Sequence, residues 1–418
     1  MNATANHLGG MDGEGKRLVF GSNYGDLHYT VNVIQVDAAN NQVRLNAGKA
    51  QGLGQGARFA IYPPGTKDFT QQDKQIAIAE VTAQISATDA WAAIEPDSLQ
   101  EGATIEQASV AVMLSAPVAL VRQIRLFEKQ EDKGTNEVPT NQVLPPEIIK
   151  IQTPALEAIK TAIDSVGKGW VELVSNEQAE HYQVAINADS EYEICDPNGT
   201  PIPNVRPSLK VNEPRAAEGV VKRLVHLTKY RAAQELDNPS TLTNKLVVQL
   251  TDKDRKPLAN PTYQVLSVGE QTYLHIKNES NQELNVAVLD LQSDWGISQL
   301  DILDDGADFV PFSPGQEELI PLRFSLPEGY KEGKDILKVF ATTRGTSFRW
   351  LELPSLDQEI PRAAERGLYR GSSLLDQLLA AVGSDVDQPP PVRQAQVNNS
   401  NRGWTTKAVS IAITTKQQ

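Results

Sequence analysis

The stretch that decides the fold class is LNVAVLDLQSDWGISQLDILDDGADFVPFSPGQEELIPLRFSLPEGYKEGKDILKVFATTRGTSFRWLELPSLD, residues 284–357. Within it Ile320, Leu322 and Phe324 alternate with residues that face the other way, and this period of two is typical of a half-buried strand. Residues 336–341 are almost all apolar, as in a central strand covered on both faces. Proline and glycine separate the runs as turns, and short strands at this spacing favour a β-sandwich.

The whole chain predicts a mainly β, multi-domain protein with one long helix. Before the deciding stretch, five or six short strands fall within about a hundred residues, which indicates a small barrel-like N-terminal unit. An α+β middle unit with the long helix then leads into the C-terminal β-sandwich. The predicted organisation is a disordered tail (1–15), a small β-barrel or sandwich (16–117), an α+β unit (118–210), a long helix (211–240), a β-sandwich (241–357), and a helix, a Pro-rich linker and a late strand (358–418).

Capping residues and periodicity predict the main helices. Thr153 as N-cap, with Pro154 at the first helical position, predicts a helix over residues 154–166. An apolar stripe predicts the long helix over residues 213–236. Further predicted elements are a strand over 348–354, a short helix over 374–382, and a strand over 404–414 that returns to pair with an earlier sheet.

The composition is typical of a globular protein from a reducing compartment. The chain has 418 residues, a formal net charge of -14 and one cysteine, Cys195. An acidic chain is a poor partner for nucleic acid or an anionic membrane. One cysteine permits no internal disulfide, residues 1–15 have no signal-peptide core, and no run approaches the roughly 20 apolar residues of a membrane helix. We therefore expect a cytoplasmic protein.

No residue pattern predicts a cofactor. The five histidines do not pair with one another, with cysteine or with carboxylates at zinc-ligand spacing. The glycine-rich run 52–56 precedes a predicted strand, so it lacks the helix N-terminus that holds a phosphate. One loop carries the hard oxygen ligands of Asp301, Asp304, Asp305 and Asp308. A glycan- or calcium-binding β-module therefore stays open as an alternative.

Cys195 is the candidate nucleophile. A catalytic thiolate needs a neighbouring base that lowers its pKa, and His181 and His226 are the histidines nearest in sequence. A cysteine hydrolase that uses Cys195 with one of these histidines is the enzymatic hypothesis. The predicted strand position favours the other interpretation, in which Cys195 is a small buried residue.

Five side chains are candidates for contact with a protein partner. Trp295 and Trp350 are aromatic residues of the type that carries binding energy at interfaces. Arg223, His226 and Lys229 lie close together on the predicted long helix. The alternative for the tryptophans is core packing, and for the helix residues a solvated or domain-contact face.

Seven segments along the chain carry a family resemblance. They are GLGQGARFAIYPPGTKDF (52–69), YEICDPNGTPIPNVRPSL (192–209), RLVHLTKYRAAQELDNP (223–239), VAVLDLQSDWGISQL (286–300), LPEGYKEGKDILKVFATT (326–343), SFRWLELPSLD (347–357) and NRGWTTKAVSI (401–411). Together they resemble the C-terminal region of bacterial and cyanobacterial caspase-like proteins, the orthocaspases. The similarity covers most of the chain from about residue 20.

The resemblance implies a non-catalytic role. The peptidase domain of this family precedes the resembling region and carries a His-Gly motif and a Cys-containing motif, which form the catalytic dyad. In this sequence no histidine is followed by glycine, and Cys195 lacks the family motif around it. We therefore predict a regulatory or protein-interaction region that binds a protein partner, such as a caspase-like peptidase chain, and has no peptidase activity of its own.

Overall fold

A computed structural model describes two compact units, residues 1–117 and residues 118–418. The described residues are 30–47, 56–66, 74–86, 88–96, 98–100, 102–115, 117–131, 143–174, 181–238, 240, 242–303, 306–365, 367–368, 374–387, 394–396 and 403–415. The predicted tail (1–15) and the run of three prolines (389–391) lie outside them. Within the described residues, no helix is both long enough and apolar enough to cross a bilayer.

The first unit is a closed six-stranded barrel, so the predicted small β-barrel is confirmed. Its strands are β1 (Thr30–Asp37), β2 (Gln42–Leu45), β3 (Arg58–Tyr62), β4 (Ala77–Ile85), β5 (Ala90–Ile94) and β6 (Val110–Ser115). They close in the order β1-β2-β5-β4-β3-β6. Alternate side chains such as Val33, Val43 and Phe59 fill the interior, as the period of two requires.

The second unit begins with an α+β layer. Its elements are β7 (Pro117–Ala119), β8 (Arg122–Leu126), β9 (Gln130–Glu131), β10 (Val143–Leu144), α1 (Pro146–Ala162), β11 (Val171–Leu173), β12 (Tyr182–Ile186), β13 (Tyr192–Cys195) and α2 (Ala216–Glu235). A four-stranded sheet has the order β11-β8-β12-β13 and is parallel except at β12-β13. Its apolar residues share a buried cluster with those of α1 and α2.

Helix α1 corrects the predicted start of the first helix. The predicted N-cap, Thr153, lies inside the helix, and its hydroxyl donates to Glu128 Oε1 at 2.9 Å. The helix begins eight residues before Pro154, with Pro146 at its first position. Both prolines fit the sequence rule for a first helical position, but Pro146 precedes the buried residue Ile148, so burial extends the helix upstream.

Helix α2 is the long predicted helix, and it is buried on almost every side. Thirteen of its residues are buried, among them Arg223, Thr228 and Lys229. A helix buried all round lies between two layers, and α2 lies between the α+β sheet and the outer face of the sandwich. The ammonium of Lys338 donates to the carbonyls of Ala233 and Gln234 at 3.1 and 2.6 Å, and so satisfies acceptors of the last turn.

The rest of the second unit is the predicted β-sandwich with its late strand. Its elements are β14 (Leu246–Thr251), β15 (Tyr263–Ser267), β16 (Gln271–Asn278), β17 (Leu284–Leu291), β18 (Ile297–Leu300), β19 (Val310–Phe312), β20 (Glu317–Arg323), β21 (Glu332–Thr342), α3 (Leu374–Val382), β22 (Gln394–Gln396) and β23 (Trp404–Thr414). One sheet is β14-β16-β20 and the other is β15-β23-β21-β17-β18, with β19 also on β17. Both inner faces contribute to one core.

Strand β23 confirms the predicted return. It pairs antiparallel with β21 along its whole length and parallel with β15, so a strand about sixty residues later in the chain completes the sheet. The predicted strand over residues 348–354 is wrong, because Phe348–Leu351 is a 3-10 turn. Phe348, Trp350 and Leu351 are all buried and would not share one face of a strand. A short helical turn buries all three.

Candidate interaction cleft

A cleft of about 1320 Å³ opens in the second unit. Five parts of the chain line it: the turn that ends α1 (165–169), Leu209, helix α2 (219–226), the chain that follows the 3-10 turn (357–365), and residues 385–387. Small-molecule pockets usually have about 300–1,000 Å³. The cleft exceeds this range, and its walls carry both charge signs.

An ion pair forms the floor of the cleft. The Arg223 guanidinium donates two hydrogen bonds to the Asp357 carboxylate, one of 2.7 Å from Nε to Oδ1, and a third to the carbonyl of Pro207. The Arg223 side chain is 3% exposed, whereas that of Asp357 is 34% exposed. A bidentate pair fixes both groups, so helix α2 and the 357–365 segment are joined at this point with a carboxylate towards the cleft.

Two glycines shape the α2 wall. A Cβ on Gly167 would lie 2.6 Å from a methyl carbon of Val221, so glycine is needed for the turn after α1 to pack directly on the helix. At Gly219 the methyl carbon of Leu209 would lie 3.0 Å from a Cβ. Lys168, next to Gly167, and Lys222, one helical turn after Gly219, are exposed on this wall.

The opposite rim is built from residues 361–365 and 385–387. Arg362 pairs with Asp387 at 2.7 Å, and its backbone N–H donates to Glu365 Oε2 at 2.9 Å. The Asp385 carboxylate accepts the N–H of Ala363 at 2.8 Å. The contacts of Arg362 with Asp387 and of Ala363 with Asp385 hold the two segments together. The exposed ion pair contributes little stability of its own.

Lys229 and Trp170 fasten the 384–386 segment to helix α2. The buried Lys229 ammonium lies 3.9 Å from the centre of the Trp170 ring and donates to the carbonyl of Ser384. The Trp170 indole N–H donates to the carbonyl of Val386 at 2.8 Å. A desolvated cation over a tryptophan face is a favourable contact, so this side of the cleft has a firm anchor.

A tight turn at residues 293–296 supports the cleft from below. The Trp295 backbone has a φ of +68°, and its carbonyl oxygen lies 2.8 Å from Nε2 of His226, a residue of the cleft wall. Asp294 accepts the Ser355 hydroxyl at 2.7 Å, and its carbonyl accepts the N–H of Leu356 at 3.0 Å. The turn therefore contacts α2 on one side and the residue before Asp357 on the other.

The five side chains predicted to contact a partner are all buried within the second unit. Arg223 and His226 belong to the cleft wall, and Lys229 to the adjacent anchor. Trp295 packs edge-on against Tyr230 with ring centres 5.0 Å apart. Trp350 and Lys229 border a cavity of about 10 Å³, which is roughly the space of one water. The exposed residues of the cleft include Lys168, Lys222 and Glu359.

Cys195 lies in a setting that favours the neutral thiol. It is buried at the end of β13, and burial raises its pKa to about 12. The imidazole of His181 accepts the N–H of Gln123 at 3.0 Å, and burial lowers its pKa to about 4. His226 is engaged with Trp295, and burial lowers its pKa also. A nucleophilic cysteine needs the opposite shift, so this geometry does not favour the hydrolase hypothesis.

The acidic loop of the calcium alternative is only partly described, since Asp304 and Asp305 lie outside the described residues. Asp301 accepts the N–H of Gly306 at 2.8 Å, and Asp308 accepts Arg349 Nε at 2.8 Å. In the part of the chain that the structure describes, no group of three or more histidine, cysteine, aspartate or glutamate side chains is placed to hold a metal ion.

Two buried carboxylates lie near the supporting turn, and the sequence did not predict either of them as a functional residue. Asp290 of β17 and Asp335 of β21 are 9% and 5% exposed. Burial raises the pKa of Asp290 to about 7 and that of Asp335 to about 6. A charged residue inside the apolar run VAVLDL was the available signal, but the partner carboxylate follows only from the strand register.

Comparisons with known proteins provide no family assignment. No protein-family model matches the chain, and no curated protein matches it. Among solved structures, a Pseudomonas fluorescens alkylpurine DNA glycosylase, AlkC, bound to DNA that contains an abasic site analog, is similar at 12% identity. The similarity covers 30% of this chain and 34% of the glycosylase chain, with a TM-score of 0.16. A likeness this low supports no inference about fold or function.

Proposed function

We propose that this chain is a non-catalytic interaction region of a caspase-like peptidase system and that its cleft binds a segment of the peptidase chain. Support for the proposal comes from where the family-like segments lie. Residues 192–209 supply Leu209 and the Pro207 carbonyl, and residues 223–239 supply Arg223 and His226. Residues 286–300 and 347–357 supply the supporting turn and Asp357.

The chemistry of the cleft also favours binding over catalysis. Several of its titratable groups are joined to structural partners: Arg223 to Asp357, Arg362 to Asp387, and Asp385 to a backbone N–H. The thiol lies elsewhere, in β13, and is held neutral by burial. A general base or nucleophile needs a substrate-facing position and a tuned pKa. The arrangement suits recognition of a polypeptide by shape and charge.

The test combines a cleavage assay with a binding measurement. The intact chain and its Cys195→Ala variant are incubated with fluorogenic Arg- and Asp-containing peptides, and we expect no cleavage by either. Calorimetry against a purified caspase-like peptidase chain is then run with Lys222→Glu, in the cleft, and Lys253→Glu, on an exposed loop of the sandwich.

We expect Lys222→Glu to weaken binding about tenfold or more, the effect of one lost charge contact at an interface, and Lys253→Glu to leave it unchanged. Cleavage by the pure chain that disappears in Cys195→Ala would overturn the proposal. Binding that both variants leave intact would remove the cleft as the site.

A further inference from the structure

The buried carboxylates of Asp290 and Asp335 are neighbours at one end of the sandwich core. In the β17-β21 register Asp290 lies opposite Leu337, which places Asp335 diagonally adjacent to it. Val288 and Leu337 belong to the sandwich core, so the period of two directs both carboxylates to that same face. Two like charges side by side in a buried site are costly, and such a pair keeps a proton.

The hydrogen bonding of the pair is incomplete. Asp335 Oδ1 accepts the backbone N–H of Ser293 at 2.9 Å, and Asp290 Oδ2 has a long contact of 3.4 Å with the Gln292 amide. Asp290 Oδ1 is buried and accepts no hydrogen bond among the described residues. An ionised carboxylate in that position is poorly compensated, so protonation is the favoured state at Asp290.

Among the groups that face the pair, Asp294 is acidic and the others are neutral. Asp294 of the supporting turn raises the pKa of both carboxyl groups. From helix α2 the Tyr230 hydroxyl donates to the carbonyl of Gln292 at 3.3 Å, and burial raises its pKa. Strand β18 places the neutral Ser298 opposite Asp290, and β23 places Ile411 opposite Asp335. Loss of a proton from either carboxyl group therefore adds a negative charge to a site that is already acidic.

We propose that Asp290 and Asp335 form a proton-controlled switch that sets the width of the cleft through the turn at residues 293–296. The connection is short and runs through hydrogen bonds to the turn. Asp335 holds Ser293, two residues later Trp295 contacts His226 on the α2 wall, and between them Asp294 holds Ser355 and Leu356 beside Asp357. When both carboxylates are ionised they repel and the turn moves, so the two walls separate above the Arg223–Asp357 pair that joins them at the floor.

This inference rests on the proposed function, because it gives the binding cleft its regulation. Burial raises the pKa of Asp290 to about 7 and that of Asp335 to about 6, both well above the ordinary value for aspartate. A modest change in pH would then alter the affinity of the cleft for its partner, with the narrow form favoured under mildly acidic conditions. Titrating groups that bias a two-state element are a general way to couple pH to binding.

The test measures the cleft without a ligand. Spin labels are attached at Lys222→Cys and Glu359→Cys in the full chain with Cys195→Ala, and the distance between them is measured by electron–electron resonance at pH 5.5 and pH 8. We expect the distance to be about 1–2 Å longer at pH 8, the usual size of shifts between packed elements. The same measurement in Asp290→Asn should give one distance at both pH values. Asp254→Asn, on an exposed loop, is the matched control and should behave like the parent.

A distance that does not change with pH in the parent would overturn the switch, and so would a change that persists in both Asp290→Asn and Asp335→Asn. The outcomes separate the two proposals. A pH-dependent distance in a cleft that binds no peptidase chain would keep the switch and remove the proposed function. Binding of a peptidase chain to a cleft of constant width would keep the proposed function and remove the switch.

Discussion

The ion pair on the cleft floor predicts an asymmetry between its two members. Asp357→Asn leaves the Arg223 cation in place, 3% exposed, with its charge no longer balanced. Arg223→Met leaves a carboxylate that is 34% exposed and can be hydrated. Asparagine tolerates the left-handed backbone of Asp357, whose φ is +71°, so the first substitution changes charge without adding backbone strain.

The expected loss of stability follows from how deeply each member of the ion pair is buried. Removal of one partner from a fully buried pair costs about 3–5 kcal/mol. The exposed third of Asp357 and the remaining bond to Pro207 reduce this figure, so we expect Asp357→Asn to cost about 2 kcal/mol. Arg223→Met should cost about 1 kcal/mol, since its methylene packing is kept. The double variant should lose less than the sum of the two, because both remove the same interaction.

Urea unfolding measures these differences. A Trp91→Phe background leaves the tryptophan fluorescence of residues 170, 295, 350 and 404, all in the second unit. The midpoint and slope for each variant then give the free energy of unfolding of that unit. Equal losses for the two single variants, or a larger loss for Arg223→Met, would refute the assignment of the arginine as the group that cannot be hydrated.

Three further predictions concern other sites. Burial raises the pKa of Asp290 from 3.8 to about 7. Between these two pH values the folded state binds more protons than the unfolded state, so stability falls as pH rises. Asp290→Asn should flatten this dependence and raise the urea midpoint at pH 8. Gly167→Ala should lower the free energy of unfolding by about 1–3 kcal/mol, because the added methyl group overlaps with α2. Gly219→Ala should change it by less than about 0.5 kcal/mol, because the higher helix propensity of alanine offsets a looser contact. Thermal melts of the two variants test this difference. Cys195 should not react with Ellman's reagent at pH 8 until urea unfolds the chain, since burial raises the pKa of its thiol to about 12.

Periodicity and turn residues were sufficient to predict the layers of this fold. The alternation at Ile320 and Leu322 places these side chains in the sandwich core, and the alternation over residues 404–414 predicted a strand that returns to an earlier sheet. The predicted start of the first helix was wrong, because two prolines gave equivalent signals. Pro146 and Pro154 both fit a helix start, and only the burial of Ile148 distinguishes them.

The cleft could not be predicted in the same way, because its walls come from five separate parts of the chain. Lys222 and Arg223 are adjacent in sequence, yet one is exposed on the wall and the other is buried beneath it. Their roles depend on Asp357, which lies 134 residues away from Arg223 along the chain. The pairing of Asp290 with Asp335 could not be predicted either, since it depends on the register of β17 against β21.

Photo-crosslinking from the cleft tests the central claim most directly. A benzoylphenylalanine is placed at position 222 of the intact chain, or at position 253 as the control, and each protein is irradiated with a purified caspase-like peptidase chain. The account predicts an adduct to one segment of the peptidase from position 222 and none from position 253. Equal labelling from both positions, or an adduct from position 253 alone, would contradict it.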